Sequence, residues 1–103
     1  MDHSWSPKDK AIARRSYDEA LANAKKEIFT LFKEQSIASA DDLWDLEEWI
    51  REQRKEISSL FIYSYSKLEL VFCISIRRGW LKLESLEGLS PPIFESIKKI
   101  VSQ

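Results

Sequence analysis

Residues 6–32, SPKDKAIARRSYDEALANAKKEIFTLF, decide the fold that this chain can adopt. The stretch opens with a helix-start signal, in which Ser6 acts as N-cap, Pro7 takes the first helical position and Asp9 completes a capping box. Behind this signal, apolar side chains recur at intervals of three or four residues, as on one face of an α-helix. These positions are Ala13, Tyr17, Leu21, Ala24, Ile28 and Leu31. The pattern predicts one long amphipathic helix over about residues 7–35.

The predicted length of this helix has a consequence for the apolar stripe that it carries. Roughly 29 residues at a rise of 1.5 Å make a rod of about 43 Å, whereas a compact domain of this size has a radius of gyration of about 13 Å. The helix therefore extends beyond its own globule. We expect a second helix and a second copy of the chain to cover the stripe, which predicts a homodimer. The predicted dimer stripe consists of Tyr17, Leu21, Ala24, Ile28 and Leu31.

A second helix is predicted to start at Ser39, because Ser39-Ala40-Asp41-Asp42 repeats the capping signal and places acidic residues at the positive end of the helix dipole. Its apolar residues keep a heptad-like spacing up to Leu60. Aromatic residues and arginine are common anchors of protein interfaces, so Trp44, Trp49 and Arg54 are predicted to form a contact surface. Simple core packing of the two tryptophans is the alternative.

Residues 61–76 permit two interpretations. Apolar residues at positions 68, 70, 72, 74 and 76 recur with the period of a β-strand. A strand here would find no second strand in the chain, and its backbone hydrogen bonds would be unmet. In addition, no Gly, Pro or Asn interrupts residues 64–78. We therefore predict a buried helix.

Glycine and proline mark the remaining boundaries of the helices. Arg77-Arg78-Gly79 is typical of a helix C-terminus, with Gly79 in the left-handed position. Residues 80–87 are predicted to form a short turn or helix that Gly88 closes, and Ser90-Pro91 caps a final helix. The apolar face of that helix consists of Ile93, Phe94, Ile97, Ile100 and Val101.

The composition favours an all-α fold in one domain. The chain has only 2 Gly and 3 Pro, which argues against a many-stranded sandwich or barrel. No repeat or low-complexity linker divides it. We predict a single helical domain over residues 1–103, in which two long antiparallel helices (about 7–60) form a dimerising arm and residues from about 61–103 form a compact helical head.

Charge and cysteine content restrict the functional classes. Sixteen basic and 17 acidic residues give a net charge of −1, which does not favour a nucleic-acid partner. The single cysteine, Cys73, forms neither an internal disulfide nor a zinc site by itself, and its apolar surroundings predict an inert core thiol. The polar start Met1-Asp2-His3-Ser4 carries no leader signal and no apolar run is long enough for a membrane span, so we expect a cytoplasmic protein without membrane insertion.

Groups that carry catalysis or hold cofactors are scarce. The only histidine is His3, close to the N-terminus, so a nucleophile elsewhere in the chain would lack the most common base. The acidic residues from Asp41 to Glu48 lack the glycine-bearing loop of a calcium site and are explained by a solvated helix start. No glycine-rich phosphate loop is present. We expect neither an enzyme nor a cofactor or metal site.

A helix-turn-helix regulator is an alternative of another class. Residues 86–90 and the helix that follows have the general form of such a motif. However, Glu84, Glu87 and Glu95 crowd the face that would meet phosphates, and only Lys98 and Lys99 favour DNA. This hypothesis ranks below protein binding.

Several short motifs form a set that points to one family. They are Asp42-Leu43-Trp44-Asp45-Leu46, Arg54-Lys55-Glu56-Ile57, Tyr63, Tyr65-Ser66, Phe72, Gly79-Trp80-Leu81 and Leu86-Glu87-Gly88-Leu89. From about Trp5 to Ile100 the chain resembles the fluorescence recovery protein family of cyanobacterial photoprotection. The resemblance implies a dimeric, all-helical protein that binds the light-activated orange carotenoid protein and hastens its return to the orange form. That return detaches the carotenoid protein from the phycobilisome, and the partner implies a peripheral association with thylakoids.

The resemblance also implies site residues. The family's interface tryptophan and arginine correspond to Trp44 and Arg54, whereas its His-Asp pair falls on Glu47-Glu48. In the head, the family's exposed phenylalanine falls on Leu70 and a lysine of its last helix on Ser96. These departures support an alternative, a divergent relative with the same dimer and a different protein client. The predicted partner-binding or dimer-interface residues are Trp44, Glu47, Glu48, Trp49, Arg54, Leu70, Phe72 and Ser96.

Overall fold

A computed structural model describes residues 4–103, which form helices and contain no strand. The α-helices are α1 (Pro7–Lys33), α2 (Ala40–Leu60), α3 (Leu68–Arg77) and α4 (Pro91–Val101), and a short 3-10 helix covers Leu83–Leu86. The predicted all-α class is confirmed. His3 and the start of the chain, on which the catalytic and leader interpretations relied, lie outside the described residues.

The starts of the two long helices follow the capping signals in the sequence. The Ser6 hydroxyl accepts the backbone N–H of Asp9 at 3.1 Å, and the Asp9 carboxylate accepts the backbone N–H of Ser6 at 3.0 Å. At the start of α2, the Ser39 hydroxyl accepts the backbone N–H of Asp42 at 3.1 Å. Each cap satisfies a donor that the first turn of a helix leaves free.

The segment from residue 61 to residue 76 is helical only from Leu68 onward. The helix in place of a strand is confirmed, but the prediction that it covers the whole segment is wrong for residues 61–67. There the rings of Phe61 and Tyr63 pack edge-on against Tyr17 of α1, with centroids 5.6 and 5.0 Å apart. Tight turns hold this segment, since the Ile62 N–H donates to the Leu60 carbonyl at 3.0 Å and the Ser64 N–H donates to the Ile62 carbonyl at 3.1 Å, and both rings meet α1 from it.

The molecule is elongated. Its principal extents are 54 × 24 × 21 Å and its radius of gyration is 16.5 Å. A compact chain of this length would have a radius of gyration of about 13 Å. This agrees with the prediction that α1 extends beyond its own globule.

The core of the head includes the first half of α1. The α1 residues Ile12, Ala13, Tyr17 and Ala20, and Ala24 one turn beyond them, are buried with residues of α3, the 3-10 helix and α4. The sequence interpretation assigned all of α1 to the arm. Three of these five residues are alanines, whose small side chains let α1 approach its neighbours closely. The arm therefore consists of the second half of α1 together with α2.

The two long helices run antiparallel. Tyr17 in the first half of α1 contacts Phe61 at the end of α2, and the Tyr17 hydroxyl donates to the Phe61 carbonyl at 2.8 Å. Farther along α1, Ile28 lies across from Ile50 of α2, and both line the groove between the helices. This is the antiparallel arm that the sequence predicted.

The turns of the head follow the glycines, but the start of α4 differs from the prediction. Gly79 and Gly88 have positive φ angles of 79° and 102°, which glycine adopts readily. Ser90 is at the N-cap position of α4, yet its hydroxyl donates to Asp9 and does not cap the helix. The 3-10 helix before it has four residues, too few to act as the first helix of a helix-turn-helix.

Candidate protein interface

A groove of about 480 Å³ separates α1 from α2 along the arm. Its apolar walls come from both helices, and the cations Lys25 and Arg54 also line it. Among the described residues that line the groove, none carries a carboxylate. The apolar wall residues are Leu21, Ile28, Ile50 and Ile57, with Tyr17 and Phe61 at the head end.

The distal end of the arm exposes large apolar side chains. Trp44 is the most exposed, at 64% of its surface. Large contiguous apolar patches are rare on soluble monomers, so the number of exposed apolar residues at this end favours protein contact here. The exposed set on this end of the arm is Phe29, Leu31, Phe32, Ile37, Leu43 and Trp44.

The predicted dimer stripe divides into two parts in the structure. Tyr17 and Ala24 are buried in the core of their own chain, where the head covers them. Leu21 and Ile28 are half-buried walls of the groove, and Leu31 is exposed. Leu21, Ile28 and Leu31 are therefore the stripe residues that keep accessible surface.

The α2 residues predicted for the interface lie at the surface or at its edge. Trp49 is half-buried, and Arg54 is exposed beside the groove. Glu47 pairs with Arg51 one turn later, at 2.5 Å. Glu48 is exposed, and within residues 4–103 Arg54 forms no ion pair.

The three head residues predicted for the interface differ in accessibility. Leu70 on α3 is 60% exposed, and Ser96 on α4 is half-buried. Phe72 is completely buried and belongs to the hydrophobic core, so in this conformation it contacts no partner. Two positions along a helix are about 200° apart around its axis, which is why Leu70 faces solvent when Phe72 faces the core.

A polar cluster at the junction of arm and head was not predicted from the sequence. The Trp80 indole N–H donates to the Glu27 carboxylate, and the Trp80 carbonyl accepts the Asn23 side-chain amide at 2.7 Å. The Arg78 guanidinium lies 4.5 Å from the centre of the Trp80 ring and 3.3 Å from a Glu56 carboxylate oxygen of α2. The Gly79-Trp80-Leu81 motif is the signal in the sequence that marks this junction.

The thiol of Cys73 is buried in the head. Burial raises the pKa of its thiol, the nearby Glu69 carboxylate raises it further, and Arg77 opposes them. A thiol with a raised pKa is a poor nucleophile at neutral pH.

In the part of the chain that the structure describes, no three metal-ligating side chains are grouped to hold an ion. Within residues 4–103, no helix has both the length and the apolar character needed to cross a bilayer.

These features define a class, a small all-helical protein with an elongated two-helix arm, a compact head and apolar surface suited to protein contact. The family model of the photoprotection regulator fluorescence recovery protein matches residues 5–101, and the chain belongs to this family. The chain is thereby a photoprotection regulator. No curated protein matches it.

A solved structure supports the same assignment. The chain is similar to the fluorescence recovery protein of Fremyella diplosiphon, with a TM-score of 0.87 and 26% sequence identity. The match covers 97% of this chain and 100% of that one. Arm and head therefore both have counterparts in the solved structure.

Proposed function

We propose that this chain acts as a homodimer that binds the photoactivated orange carotenoid protein and accelerates its return to the inactive orange state. The observation that carries the proposal is the family match, which spans both arm and head. The description of the family as a photoprotection regulator supports a role exerted on another protein. Arm and head have separate roles in the proposal, since the arm forms the dimer and the head contacts the client.

Dimerisation is supported by the accessible apolar surface of the arm. The groove walls Leu21 and Ile28, together with the exposed Leu31, Phe29 and Trp44, form apolar surface that the head does not cover. A second arm packed on this surface would remove it from water, at about 25 cal/mol for each Å² buried. The Arg54 guanidinium beside the groove would then meet a carboxylate of the second chain.

Acceleration of the client's return requires no covalent chemistry. A protein that binds the rearranging form of the client more tightly than its open form lowers the barrier between the two. A rigid surface is sufficient for this, and the head of this chain is built on a continuous hydrophobic core. The exposed Leu70 supplies an apolar contact at the position where the family carries phenylalanine.

A second candidate is a family member with the same dimer and a different protein client. It is favoured by the departures at Glu47-Glu48, Leu70 and Ser96, which change the charge or the size of contact residues. Glu47 is already paired with Arg51, and the half-buried Ser96 offers no charge.

One experiment separates the two candidates. The purified chain is mixed with photoactivated orange carotenoid protein, and the decay of the red form is timed in the dark. We expect a faster decay and a complex on gel filtration. A Leu70→Asp variant should lose the effect, whereas Thr30→Asp on the exposed side of α1 should keep it. An unchanged decay without a complex contradicts the first candidate and favours the second.

A further inference from the structure

Aromatic rings and cations form a continuous patch where α1 begins. The ring of Tyr65 lies 5.5 Å from that of Trp5 and 5.8 Å from that of Tyr63. The Lys10 ammonium is 5.3 Å from the centre of the Tyr65 ring, and the Arg14 guanidinium is 4.7 Å from the centre of the Tyr63 ring. These five residues, which we call the N-terminal patch, come from α1, from the residue before its N-cap and from the segment that leads into α3.

The patch is accessible and its arginine is held in place. Tyr65 is 38% exposed, and the Arg14 side chain is 59% exposed although it stacks on a ring. Stacking fixes the plane of a guanidinium, so less side-chain entropy is lost when its donors bind a carboxylate. Within the chain, Arg14 pairs with Asp18 at 3.4 Å. Both side chains are exposed, and an exposed ion pair is weak, so a carboxylate of another molecule can replace Asp18.

The lysines at the start of α1 are placed where the helix itself does not favour them. Lys8 and Lys10 stand in the first turn of α1, at the positive end of the helix dipole, where cations are unfavourable. The acidic residue of that turn, Asp9, is buried and accepts hydrogen bonds from Ser6 and Ser90. It is therefore directed into the protein and does not neutralise the surface.

We propose that the N-terminal patch is a docking surface for an acidic protein segment in which carboxylates alternate with apolar side chains. Lys10 and Arg14 receive the carboxylates, and the exposed parts of Tyr65 and Trp5 receive the apolar side chains. Tyrosine, tryptophan and arginine are the residue types that dominate protein-binding hot spots. The patch lies on the head and includes neither the groove residues nor Leu70. In the client complex it serves as a second contact, and this role rests on the proposed function.

The test uses the full chain labelled with ¹⁵N and a synthetic peptide of alternating glutamate and leucine. We expect peptide-dependent NMR shifts at Lys10, Arg14 and Tyr65 that disappear in the Lys10→Gln/Arg14→Gln variant. The charge-conserving Lys10→Arg/Arg14→Lys variant should retain them. The matched control, Lys26→Gln/Lys82→Gln, removes the same charge elsewhere and should also retain them. Circular dichroism melts verify that each variant is folded.

Failure of the docking surface and failure of the proposed function give different results. Absence of shifts at the patch, equal shifts in the glutamine variant, or binding of a short DNA duplex there in preference to the peptide overturns the docking surface. With the client itself, the glutamine variant should associate about tenfold more slowly at low salt than the control. If the unaltered chain leaves the client's decay unchanged, the proposed function fails, while the peptide titration still decides the patch.

Discussion

The carboxylate of Asp9 and the N-cap residue Ser90 join the starts of α1 and α4. One carboxylate oxygen of Asp9 accepts the Ser90 backbone N–H at 2.7 Å, and the other accepts the Ser90 hydroxyl at 2.5 Å. The second oxygen also accepts the backbone N–H of Ser6. Because a negative charge is favourable at a helix N-terminus, one buried carboxylate stabilises two helices at once.

Removal of this carboxylate should destabilise the fold strongly. We expect Asp9→Ala to lower the free energy of unfolding by about 3 kcal/mol, because it removes the capping box and leaves donors of Ser6 and Ser90 without an acceptor. Urea unfolding followed by circular dichroism measures this change. Asp45→Ala, at an exposed position of α2, is the control and should change stability by less than about 0.5 kcal/mol. Equal effects of the two variants would contradict this interpretation.

The pKa of Asp9 predicts that the protein becomes less stable in acid. Burial alone would raise the pKa of Asp9, but the hydrogen bonds from Ser90 and Ser6 outweigh it and lower the pKa from 3.8 to about 2. The folded-state pKa is thus below the unfolded one, so the stabilisation of about 2 kcal/mol is complete above pH 4 and is lost as the pH falls towards 2. Urea unfolding of the unaltered chain and of Asp9→Asn between pH 5 and pH 2 should show the stability gap closing. A gap that stays constant would rule the prediction out.

A charge on the groove wall should dissociate the proposed dimer. We expect Ile28→Asp to raise the dimer dissociation constant at least 100-fold, since it removes apolar burial and takes a charge out of water, a cost of several kcal/mol that pairing with Lys25 or Arg54 offsets only in part. Light scattering coupled to gel filtration measures the mass over a range of concentrations. Thr30→Asp, about 200° around α1 from Ile28, is the matched control. A dimer that survives Ile28→Asp, with helicity intact, is incompatible with an interface at this groove.

The two glycines of the head should respond unequally to alanine. A Cβ at Gly88 would lie 3.0 Å from the Ile12 Cδ1, whereas a Cβ at Gly79 would meet open space. Both positions have positive φ, so each alanine costs about 1 kcal/mol of backbone strain. We expect Gly88→Ala to cost about 1 kcal/mol more than Gly79→Ala. Adding Ile12→Val, which removes the contacting methyl group, should recover part of the difference in urea unfolding, and equal costs without recovery would refute the steric explanation.

Local signals in the sequence predicted the helices and their boundaries well. The caps at Ser6 and Ser39 and the left-handed Gly79 are short-range features, because each depends on residues within one helical turn. The failure at residues 61–67 has a different origin. Their alternating aromatic residues fit a helix as well as a turn segment until Tyr17, far away in the chain, supplies the ring against which Phe61 and Tyr63 pack.

The partner-binding residues stay a prediction, and the structure adds which of them are accessible. Trp44, Arg54 and Leu70 are at the surface, as interface residues must be, but Phe72 is in the core. The sequence shows that residue 72 is a phenylalanine but does not show which way its side chain points. That direction depends on which face of α3 meets α1 and α4. The polar cluster around Trp80 was missed for the same reason, since its members come from α1, α2 and the turn after α3.

The sequence by itself determined the helical class, the long α1 and its caps, because periodicity and capping act between residues a few positions apart. Tertiary structure alone decided that the first half of α1 belongs to the head, that Asp9 holds the start of α4 and that the N-terminal patch assembles from α1 and the segment that follows α2. These features join residues up to 81 positions apart. Such contacts form only after the helices have packed, and packing is selected by the burial of whole faces, which no local pattern specifies.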